Sequence, residues 1–416
     1  MHRIDERIAE GPRRLLLDLL VAALAAVDGR ACVARALAAR PIGGPVRLVA
    51  LGKAAQAMTE GAVAALGPAV RNGLVVSKAG HLDEPWLRAR GLAVVVGGHP
   101  VPSAGSLAAG EALGATLAAP GEGSWLFLLS GGTSSLVEAP AAGLGLAELQ
   151  RANDWLLGSG LPIAAVNRVR KALSRIKGGG LLSRLGGRPV RALAISDVPG
   201  DDPAVIGSGL LVPEPGLAER LAALDLPAWL ADWGRRGLAE RGASLGEAPP
   251  IELVATLDQA CAGAAAAARV RGLTVHRHPV FIAGDAAARG VELGRWLAGA
   301  PPGVHIWGGE TTVRLPERPG RGGRNQHLAL AAATALAGRV DCWLLAAGTD
   351  GSDGPTDAAG ALVDGATLAR AADCGLAAAT ALRRADAGTL LEASGDLVDT
   401  GPTGTNVMDL VLAFKR

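Results

Sequence analysis

The sequence has few cysteines, and it lacks both long apolar runs and blocks of like charge. Only four of its 416 residues are cysteines, and no two of them form a C-x-x-C pair. This usage is typical of reduced thiols in the core of a cytosolic protein rather than of a disulfide framework. The formal net charge is +2, with both signs mixed along the chain, which gives no support to a nucleic-acid or membrane-surface role.

No apolar run approaches the roughly 20 residues that a membrane-spanning helix needs. The stretch "LLLDLLVAALAAV" (15–27) follows two arginines and has some features of a signal peptide. Asp18 interrupts it, however, and leucine and alanine recur at helical spacing into the next residues, which favours an amphipathic helix. The sequence therefore predicts a soluble, cytoplasmic protein.

Short apolar runs alternate with alanine-rich helical segments along most of the chain. Three of these runs are "VRLVAL" (46–51), "SWLFLLS" (124–130) and "RALAIS" (191–196). The alternation predicts a parallel α/β architecture, because strands that are buried on both faces read as continuous apolar runs. A chain of 416 residues is expected to form two or three domains of roughly 100–200 residues each.

A second strand–helix series begins after a break that is rich in proline and glycine. The break ends at "GEAPP" (246–250), so we predict domains at residues 1–245 and 246–416. In the second series, "VHIWGGETTVRL" (304–315) is interpreted as two strands joined at Gly308-Gly309, a hairpin within a mixed sheet. The segment "NVMDLVLAF" (406–414) predicts the last strand.

Five of the predicted strands are followed by glycine together with hydroxyl, acidic or lysine residues. Ligands of open α/β sheets bind at the carboxyl ends of the strands, so these loops are candidate binding sites. Loops of Gly, Ser and Thr offer backbone N–H groups and hydroxyls to phosphate oxygens, although each loop could also be an ordinary turn. The candidate phosphate-binding residues are Ser130, Gly131, Gly132, Thr133, Ser134, Lys177, Gly178 and Gly179.

Basic residues stand near two of the glycine-rich segments. Arg324 in "GRGGRNQ" (320–326) lies beside a predicted helix start, which is an anion-binding geometry. The helix that leads into "RIKGGG" (175–180) is also basic, and we assign most of its charges to a solvated face. These charges are Arg168, Arg170, Lys171 and Arg175.

Acidic residues follow two other predicted strands. The loop "GTDGSDGPTDAAG" (348–360) contains Asp350 and Asp353, and Asp197 follows "RALAI". Such a loop could be a turn, since Asp and Gly favour turns, or it could supply hard oxygen ligands suited to Mg²⁺. We take Asp197, Asp350 and Asp353 as candidate metal ligands. Phosphate-binding loops, cations and carboxylates together favour phosphoryl transfer.

Several common catalytic motifs are missing from the sequence. There is no G-x-x-x-x-G-K-[ST] motif, because Ala54 follows Gly52-Lys53, and no G-x-G-x-x-G opens a helix. Neither G-x-S-x-G nor H-E-x-x-H occurs. The histidine of "GGHPVP", His99, has no carboxylate at ligand spacing, and we assign it a loop or core role. These absences weaken the case for a nicotinamide dehydrogenase.

The order of the motifs resembles the class II glycerate 2-kinases, some of which have carried the label hydroxypyruvate reductase. The motifs "ALGKAA", "LLSGGTSSL", "GGRNQHLAL", "GTDGSDGPTDAAGALVD" and "TGPTGTNVMDL" carry the resemblance, which spans residues 5–415. It implies an N-terminal Rossmann-like α/β domain, a smaller C-terminal α/β domain and an active site in the cleft between them. It also implies ATP-dependent phosphorylation of D-glycerate at its 2-hydroxyl with Mg²⁺, and Lys53 and Arg324 as functionally critical residues.

The sequence departs from the family pattern at several positions. Thr133 and Ser135 are variants in the segment "SGGTSS" (130–135), which we call the glycine–serine loop. His327 stands where glutamate is usual. These departures leave the basic and acidic groups intact, so they concern substrate preference rather than reaction class. Two other functions stay open, namely an NAD(P)H-dependent hydroxypyruvate reductase and a non-catalytic ligand-binding protein on the same fold. The sequence leaves open the glycerate enantiomer, the nucleotide preference and the oligomeric state, including a homodimer.

Overall fold

The chain forms two units in the computed structural model, which describes residues 11–241 and 247–416. We name them by their sheets. The parallel-sheet unit is Gly29–Val254, and the mixed-sheet unit is Ala255–Arg416 together with the described residues up to Asp28. The domain limits that the sequence suggests, 1–245 and 246–416, stay a prediction.

Helices and strands alternate along most of the described residues, which confirms the predicted α/β class. The helices are α1 Pro12–Ala26, α2 Gly29–Ala39, α3 Ala55–Leu66, α4 Glu84–Arg88, α5 Ala104–Ala118, α6 Thr133–Leu136, α7 Leu146–Gly158, α8 Ile163–Leu173, α9 Leu217–Ala222, α10 Ala228–Ala239, α11 Leu257–Val270, α12 Ala286–Ala298, α13 Arg324–Leu336, α14 Thr367–Asp373, α15 Ala378–Arg383 and α16 Ala387–Ala393. The strands are β1 Val46–Leu51, β2 Val70–Ser77, β3 Leu92–Val96, β4 Ser124–Leu129, β5 Val190–Ile195, β6 Ile251–Ala255, β7 Val275–Arg277, β8 Ile282–Asp285, β9 Gly303–Thr312, β10 Cys342–Gly348, β11 Gly360–Asp364, β12 Leu397–Val398 and β13 Asp409–Lys415.

The sheet of the parallel-sheet unit has the strand order β3-β2-β1-β4-β5-β6. Strand β1 pairs in parallel with both β2 and β4, and β3 and β5 extend the parallel sheet on either side. All six residues of β1 are buried, as expected for a strand covered on both faces. The strand order reverses between β1 and β4, and this is the point at which sheets of this order bind their ligands. The predicted Rossmann-like parallel sheet is thereby confirmed.

The sheet of the mixed-sheet unit has the order β12-β11-β10-β13-β9-β7, with β8 paired to β9. The pairs of β10 with β11 and β13 are antiparallel, as is the pair of β13 with β9. The pairs of β7 and β8 with β9 are parallel, so the sheet is mixed as predicted. Helix α13 is buried along most of its length, because it packs against the sheet and against α12.

The hairpin predicted within 304–315 is wrong, because β9 runs unbroken through both glycines. A Cβ atom on Gly308 would lie 2.4 Å from Cδ2 of Leu257, and one on Gly309 would lie 2.4 Å from the carbonyl oxygen of Ile282. The two glycines therefore allow neighbouring elements to approach an extended strand, and they do not form a turn.

The predicted N-terminal helix is confirmed as α1, which buries Leu16, Leu20 and Leu24 and packs against α11. No helix of the described ranges is both long enough and apolar enough to cross a membrane. The predicted core position holds for three cysteines but is wrong for Cys374, which is exposed, since it follows a short surface helix.

Candidate active site

The loops that follow β1 and β4 are joined by hydrogen bonds. The backbone N–H of Lys53 donates to the carbonyl oxygen of Gly131 at 2.9 Å, and that of Ala54 donates to Oγ of Ser130 at 3.1 Å. The Ser130 hydroxyl in turn donates to the carbonyl oxygen of Leu51 at 3.2 Å. Ser130 is fully buried, so its side chain connects the two strand ends and does not face solvent.

The side chain of Lys53 lies beside Gly132. Gly132 has a φ angle of +85°, a conformation that favours glycine. A Cβ atom on Gly132 would lie 3.3 Å from Cγ of Lys53 and 3.0 Å from Cδ2 of His99. Because Gly132 has no side chain, Lys53 and His99 can both lie close to its backbone at the end of β4. Sequence reasoning assigned His99 a loop or core role, whereas it lines the cavity described next.

A cavity of about 330 Å³ opens next to this loop, and we call it the parallel-sheet cavity. Of the residues predicted to bind phosphate or metal, Gly132, Ser134, Lys177 and Asp197 line it. Further polar residues line the cavity that were not predicted as ligands from the sequence. They include Ser135, Glu138, Asn153, Asn167, Arg170 and Ser208. The structure therefore brings together three of the eight predicted phosphate ligands with one predicted metal ligand.

Thr133, Gly178 and Gly179 lie behind this lining. The Thr133 hydroxyl donates to the carbonyl oxygen of Ser130 at 2.7 Å, and the threonine is buried. The backbone N–H groups of Gly178 and Gly179 donate to the carbonyl oxygens of Ser208 and Gly209 at 2.9 and 2.7 Å. These three residues shape the loops that carry the lining, and direct contact with a phosphate stays a prediction for them.

Lys177 forms a buried ion pair with Glu138. Its ammonium also donates to the carbonyl oxygen of Ser134 at 2.7 Å, so it holds the glycine–serine loop in place. Burial raises the pKa of Glu138, and the charge of Lys177 and its hydrogen bond oppose that rise. The pairing thus offsets part of the cost of burying the carboxyl group of Glu138.

The prediction that the charges of the basic helix, α8, face solvent is wrong for its C-terminal half. Lys171 is only 7% exposed, and it donates to Glu214 at 2.8 Å and to the carbonyl oxygen of Ala204 at 2.9 Å. Arg170 is partly buried on the cavity lining, where burial lowers its pKa against the opposing charge of Glu138. Helical spacing alone could not distinguish a side chain that meets water from one that meets another loop.

In the mixed-sheet unit, Arg324 is held by two carboxylates. Its Nε and Nη2 atoms donate to Oδ2 and Oδ1 of Asp409 at 2.5 and 2.9 Å, and Nη2 lies 3.0 Å from Oε1 of Glu310. Burial by itself lowers the pKa of Arg324, but the hydrogen bond and charge of Asp409, with the charge of Glu310, raise it above its usual value. Arg324 is therefore a permanent cation in a fixed orientation.

Asp353 holds the start of α13, where Arg324 is the first residue. Its two oxygens accept the backbone N–H groups of Asn325 and Gln326 at 3.0 and 2.8 Å. A Cβ atom on Gly323 would lie 2.4 Å from Oδ1 of Asp353, so the glycine of "GGRNQ" lets the carboxylate reach the helix. Burial raises the pKa of Asp353 to about 7, although those N–H groups oppose the rise. The loop of Asp353 and the helix of Arg324 are thus a single structural assembly.

Asp350 precedes Asp353 in the same loop and is 7% exposed. Its Oδ1 accepts hydrogen bonds from the backbone N–H and the hydroxyl of Ser352 at 3.0 and 3.2 Å. In the part of the chain that the structure describes, no group of three His, Cys, Asp or Glu side chains is arranged to hold a metal ion by itself. A second cavity, of about 340 Å³, is lined by Arg324, Gly323 and His327 among others.

Sequence reasoning missed the carboxylates that hold the cations. Asp409 interrupts the apolar run "VMDLVLAF", and Glu138 interrupts "SLVEAPA". An acidic residue inside an otherwise buried segment needs a partner, so both positions carried a usable signal. Glu310 stands in the "GGETT" segment, which was noted for its glycines rather than for its acid.

Two family models match the chain. The model described as a domain of unknown function, DUF4147, matches residues 15–226, and the MOFRL family matches residues 303–409. Among curated proteins, D-glycerate 2-kinase of Thermotoga maritima is 38% identical over 89% of this chain and 90% of that protein. A protein of Agrobacterium vitis with the provisional name hydroxypyruvate reductase is also 38% identical, over 96% of this chain and 93% of that protein.

A solved structure shares the fold over nearly the whole chain. The crystal structure of glycerate kinase from Thermotoga maritima matches with a TM-score of 0.82 and 33% identity, covering 97% of this chain and 99% of that chain. Identity of this extent over most of both proteins, together with a family model that covers half of the chain, shows common descent. The chain belongs to the class II glycerate kinase family.

Proposed function

We propose that this protein is an ATP-dependent glycerate 2-kinase that phosphorylates the 2-hydroxyl of D-glycerate. The observation that carries the proposal is the meeting of Lys53 and Gly132 where the strand order reverses, beside a cavity that contains Arg170 and Lys177. Open α/β sheets bind ligands at this point, and the N–H groups, hydroxyls and cations there suit phosphate oxygens. The named relatives of the chain support the choice of glycerate as the acceptor.

Lys53 supplies a positive charge to the group in transfer. Phosphoryl transfer spreads negative charge over the moving group and the bridging oxygens, and fixed cations there lower the barrier. Lys53 comes two residues after the end of β1, so its flexible stem carries the ammonium beyond the strand end. Its backbone is fixed by Gly131, which makes the start of that stem rigid.

Arg324 supplies an oriented guanidinium. One edge of its fork is engaged by Asp409, and Nη1 donates no hydrogen bond to any residue that the structure describes. That remaining nitrogen is suited to an oxygen of a carboxylate or a phosphoryl group. Because Asp353 fixes the first turn of the helix, the position of Arg324 depends on the acidic loop as well.

Magnesium belongs to the proposal, and the three predicted ligands differ in how well they fit it. Proteins usually hold Mg²⁺ through one or two carboxylates, with substrate phosphates and water completing the shell. Asp197 is half-buried on the cavity lining of the parallel-sheet unit and fits this role. Asp350 belongs to the mixed-sheet unit and is a separate candidate there. Asp353 fits poorly, because both of its oxygens accept N–H groups and it is 2% exposed. The bound ion neutralises charge on the phosphates.

A coupled assay tests the proposal. We expect ADP formation that depends on D-glycerate and Mg²⁺, with 2-phosphoglycerate as the product identified by NMR. L-Glycerate is the matched control for the enantiomer. An Asp197→Asn enzyme should require a higher Mg²⁺ concentration, whereas Asp353→Asn should not. An enzyme that forms no ADP with either enantiomer would contradict the proposal.

A hydroxypyruvate reductase is the second candidate function. The strand order of the parallel-sheet unit also occurs in dinucleotide-binding domains, and one relative carries the provisional reductase name. The sequence has no G-x-G-x-x-G at a helix start, which counts against a dinucleotide cofactor. Oxidation of NADH or NADPH by hydroxypyruvate, in the absence of ATP, is the outcome that would favour the reductase.

A further inference from the structure

Arg170 differs from the other cations of helix α8 in the kind of partner that it has. Its Nε and Nη2 atoms both donate to Oδ1 of Asn153, at 3.1 and 2.8 Å, so one edge of the guanidinium is held by a neutral amide. Its Nη1 donates no hydrogen bond to any residue in the described ranges. Both side chains line the parallel-sheet cavity. An amide orients the guanidinium without neutralising its charge.

The neighbouring cations are already paired with carboxylates. Arg168 lies 3.6 Å from Oε1 of Glu214, and Lys171 lies 2.8 Å from Oε2 of the same residue. Lys177 is paired with Glu138 in the cavity wall. Among the cations that line this cavity in the described chain, Arg170 alone has no carboxylate within ion-pair distance.

A half-buried guanidinium without a carboxylate partner keeps a full positive charge, which water or a bound anion must stabilise. Burial lowers the pKa of Arg170, and only the charge of Glu138 opposes this effect. The cavity of about 330 Å³ is large enough for a small anion, and the hydroxyls of Ser134 and Ser135 belong to its lining. A planar guanidinium suits an oxyanion with two acceptor oxygens, which describes both carboxylate and phosphate.

We infer that Arg170, oriented by Asn153, binds an oxyanion of a substrate in the parallel-sheet cavity, either the carboxylate of the hydroxy acid or a phosphate of the nucleotide. The inference rests on the proposed kinase function only for the identity of these two ligands. Arg170 is a binding residue, and Asn153 is a positioning residue that acts through it. The lining also contains two carboxylates, Glu138 and Asp197, which would repel an anion, so the cations of the lining are the groups suited to bind one.

The sharpest test replaces the neutral amide by an acid of the same shape. In Asn153→Asp, the new carboxylate should form a salt bridge with Arg170 and neutralise its positive charge. This variant should therefore weaken anion binding about as much as Arg170→Ala does. A hydrogen bond to a charged group contributes about 1.5–3 kcal/mol, which corresponds to roughly 10- to 100-fold in Kd. Asn153→Ala should have a smaller effect, of about threefold to tenfold, because the guanidinium keeps its charge but loses its orientation.

The measurement is isothermal titration of D-glycerate, of ATP and of inorganic phosphate into each folded variant. A rise in Kd for D-glycerate alone assigns Arg170 to the carboxylate, and a rise for ATP and inorganic phosphate assigns it to the phosphate. The double variant Arg170→Ala/Asn153→Ala should bind no more weakly than Arg170→Ala, because Asn153 acts only through the arginine. Arg168→Ala is the matched control on the same helix, and its Kd values should stay within about twofold of wild type.

Binding is measured independently of catalysis, so the two proposals fail separately. A protein without kinase activity that still loses anion binding on substitution of Arg170 would retain this inference and reject the proposed function. Unchanged Kd values for all three probes in Arg170→Ala and in Asn153→Asp would overturn the inference, as would a wild-type protein that binds none of them. Circular dichroism confirms folding, and Asn153→Asp decides the question if Arg170→Ala does not fold.

Discussion

The two units hold their candidate catalytic cations in different ways. In the parallel-sheet unit, Lys53 is fixed through its backbone, by a hydrogen bond to the glycine–serine loop, and its stem passes Gly132. In the mixed-sheet unit, Arg324 is fixed through its head group, by Asp409 and Glu310. A flexible ammonium acts as a point charge, whereas a planar guanidinium acts only in the correct orientation. The difference teaches that a guanidinium with a directional role is held at its head group, whereas the position of Lys53 is set at the strand end that carries it.

The largest expected effect is on stability, and it concerns a cation of the parallel-sheet unit that is fixed by its head group. Lys177→Met leaves the charge of Glu138 buried without its partner, which should cost about 3–5 kcal/mol of unfolding free energy. Urea unfolding monitors the loss. The double variant Lys177→Met/Glu138→Gln should recover most of it, because no unpaired charge remains. A single variant as stable as wild type would show that Glu138 is protonated in the native protein.

The next effect tests the comparison directly by removing each candidate catalytic cation. Lys53→Ala and Arg324→Ala should each lower kcat/KM by roughly 10²–10³, the usual effect of removing one electrostatic donor at an active site. Arg324→Lys should recover little, because an ammonium cannot bind both oxygens of Asp409 and keep the direction of the third nitrogen. Steady-state kinetics on folded variants checks these values.

The matched control for Arg324 is its neighbour Arg321, an exposed residue that pairs with Glu392. Arg321→Ala should leave kcat/KM within about twofold of wild type, since exposed ion pairs contribute little. If Arg324→Lys retained wild-type turnover, the orientation of the guanidinium would be irrelevant and the two units would not differ in the way described above.

A smaller effect is expected from the carboxylate that orients Arg324. Asp409→Asn keeps the shape but weakens both hydrogen bonds, and we expect kcat/KM to fall roughly tenfold. In an Arg324→Ala background the same change should have almost no further effect, because Asp409 acts through the arginine. Equal effects of Asp409→Asn in both backgrounds would instead indicate that the carboxylate contacts a substrate or metal itself.

The smallest effect is the pH dependence that Asp353 adds to the mixed-sheet unit. Burial raises the pKa of Asp353 from 3.8 to about 7, so its contribution to stability is complete below the unfolded value and is lost as pH rises through about 7. Between pH 5 and 7 the unfolding free energy of wild type should therefore fall relative to that of Asp353→Asn, by on the order of 1 kcal/mol per pH unit. Urea titrations at several pH values measure this difference. A difference that does not change with pH would show that Asp353 is ionised throughout.

Much of the fold could be predicted because its signals are local. Continuous apolar runs indicate strands buried on both faces, and glycine with hydroxyl or acidic residues after such a run indicates a loop at a strand end. Lys53 and Gly132 could be found in this way, since each lies within a few residues of its strand. The hairpin at 304–315 failed because a glycine pair has the same local appearance whether it makes a turn or admits a close neighbour.

By itself, the sequence determined the α/β class, the order of the elements and the candidate residues at the strand ends, because these depend on neighbours along the chain. Only the tertiary structure decided which charges are paired. Arg324 meets Asp409 at a separation of 85 residues, and Lys177 meets Glu138 at 39. It also decided that Arg170 meets an amide while Lys171 beside it meets a carboxylate. Helical periodicity tells on which face of a helix a residue lies, but not which segment packs against that face. Only the folded chain therefore distinguishes a structural ion pair from a cation that can bind a ligand.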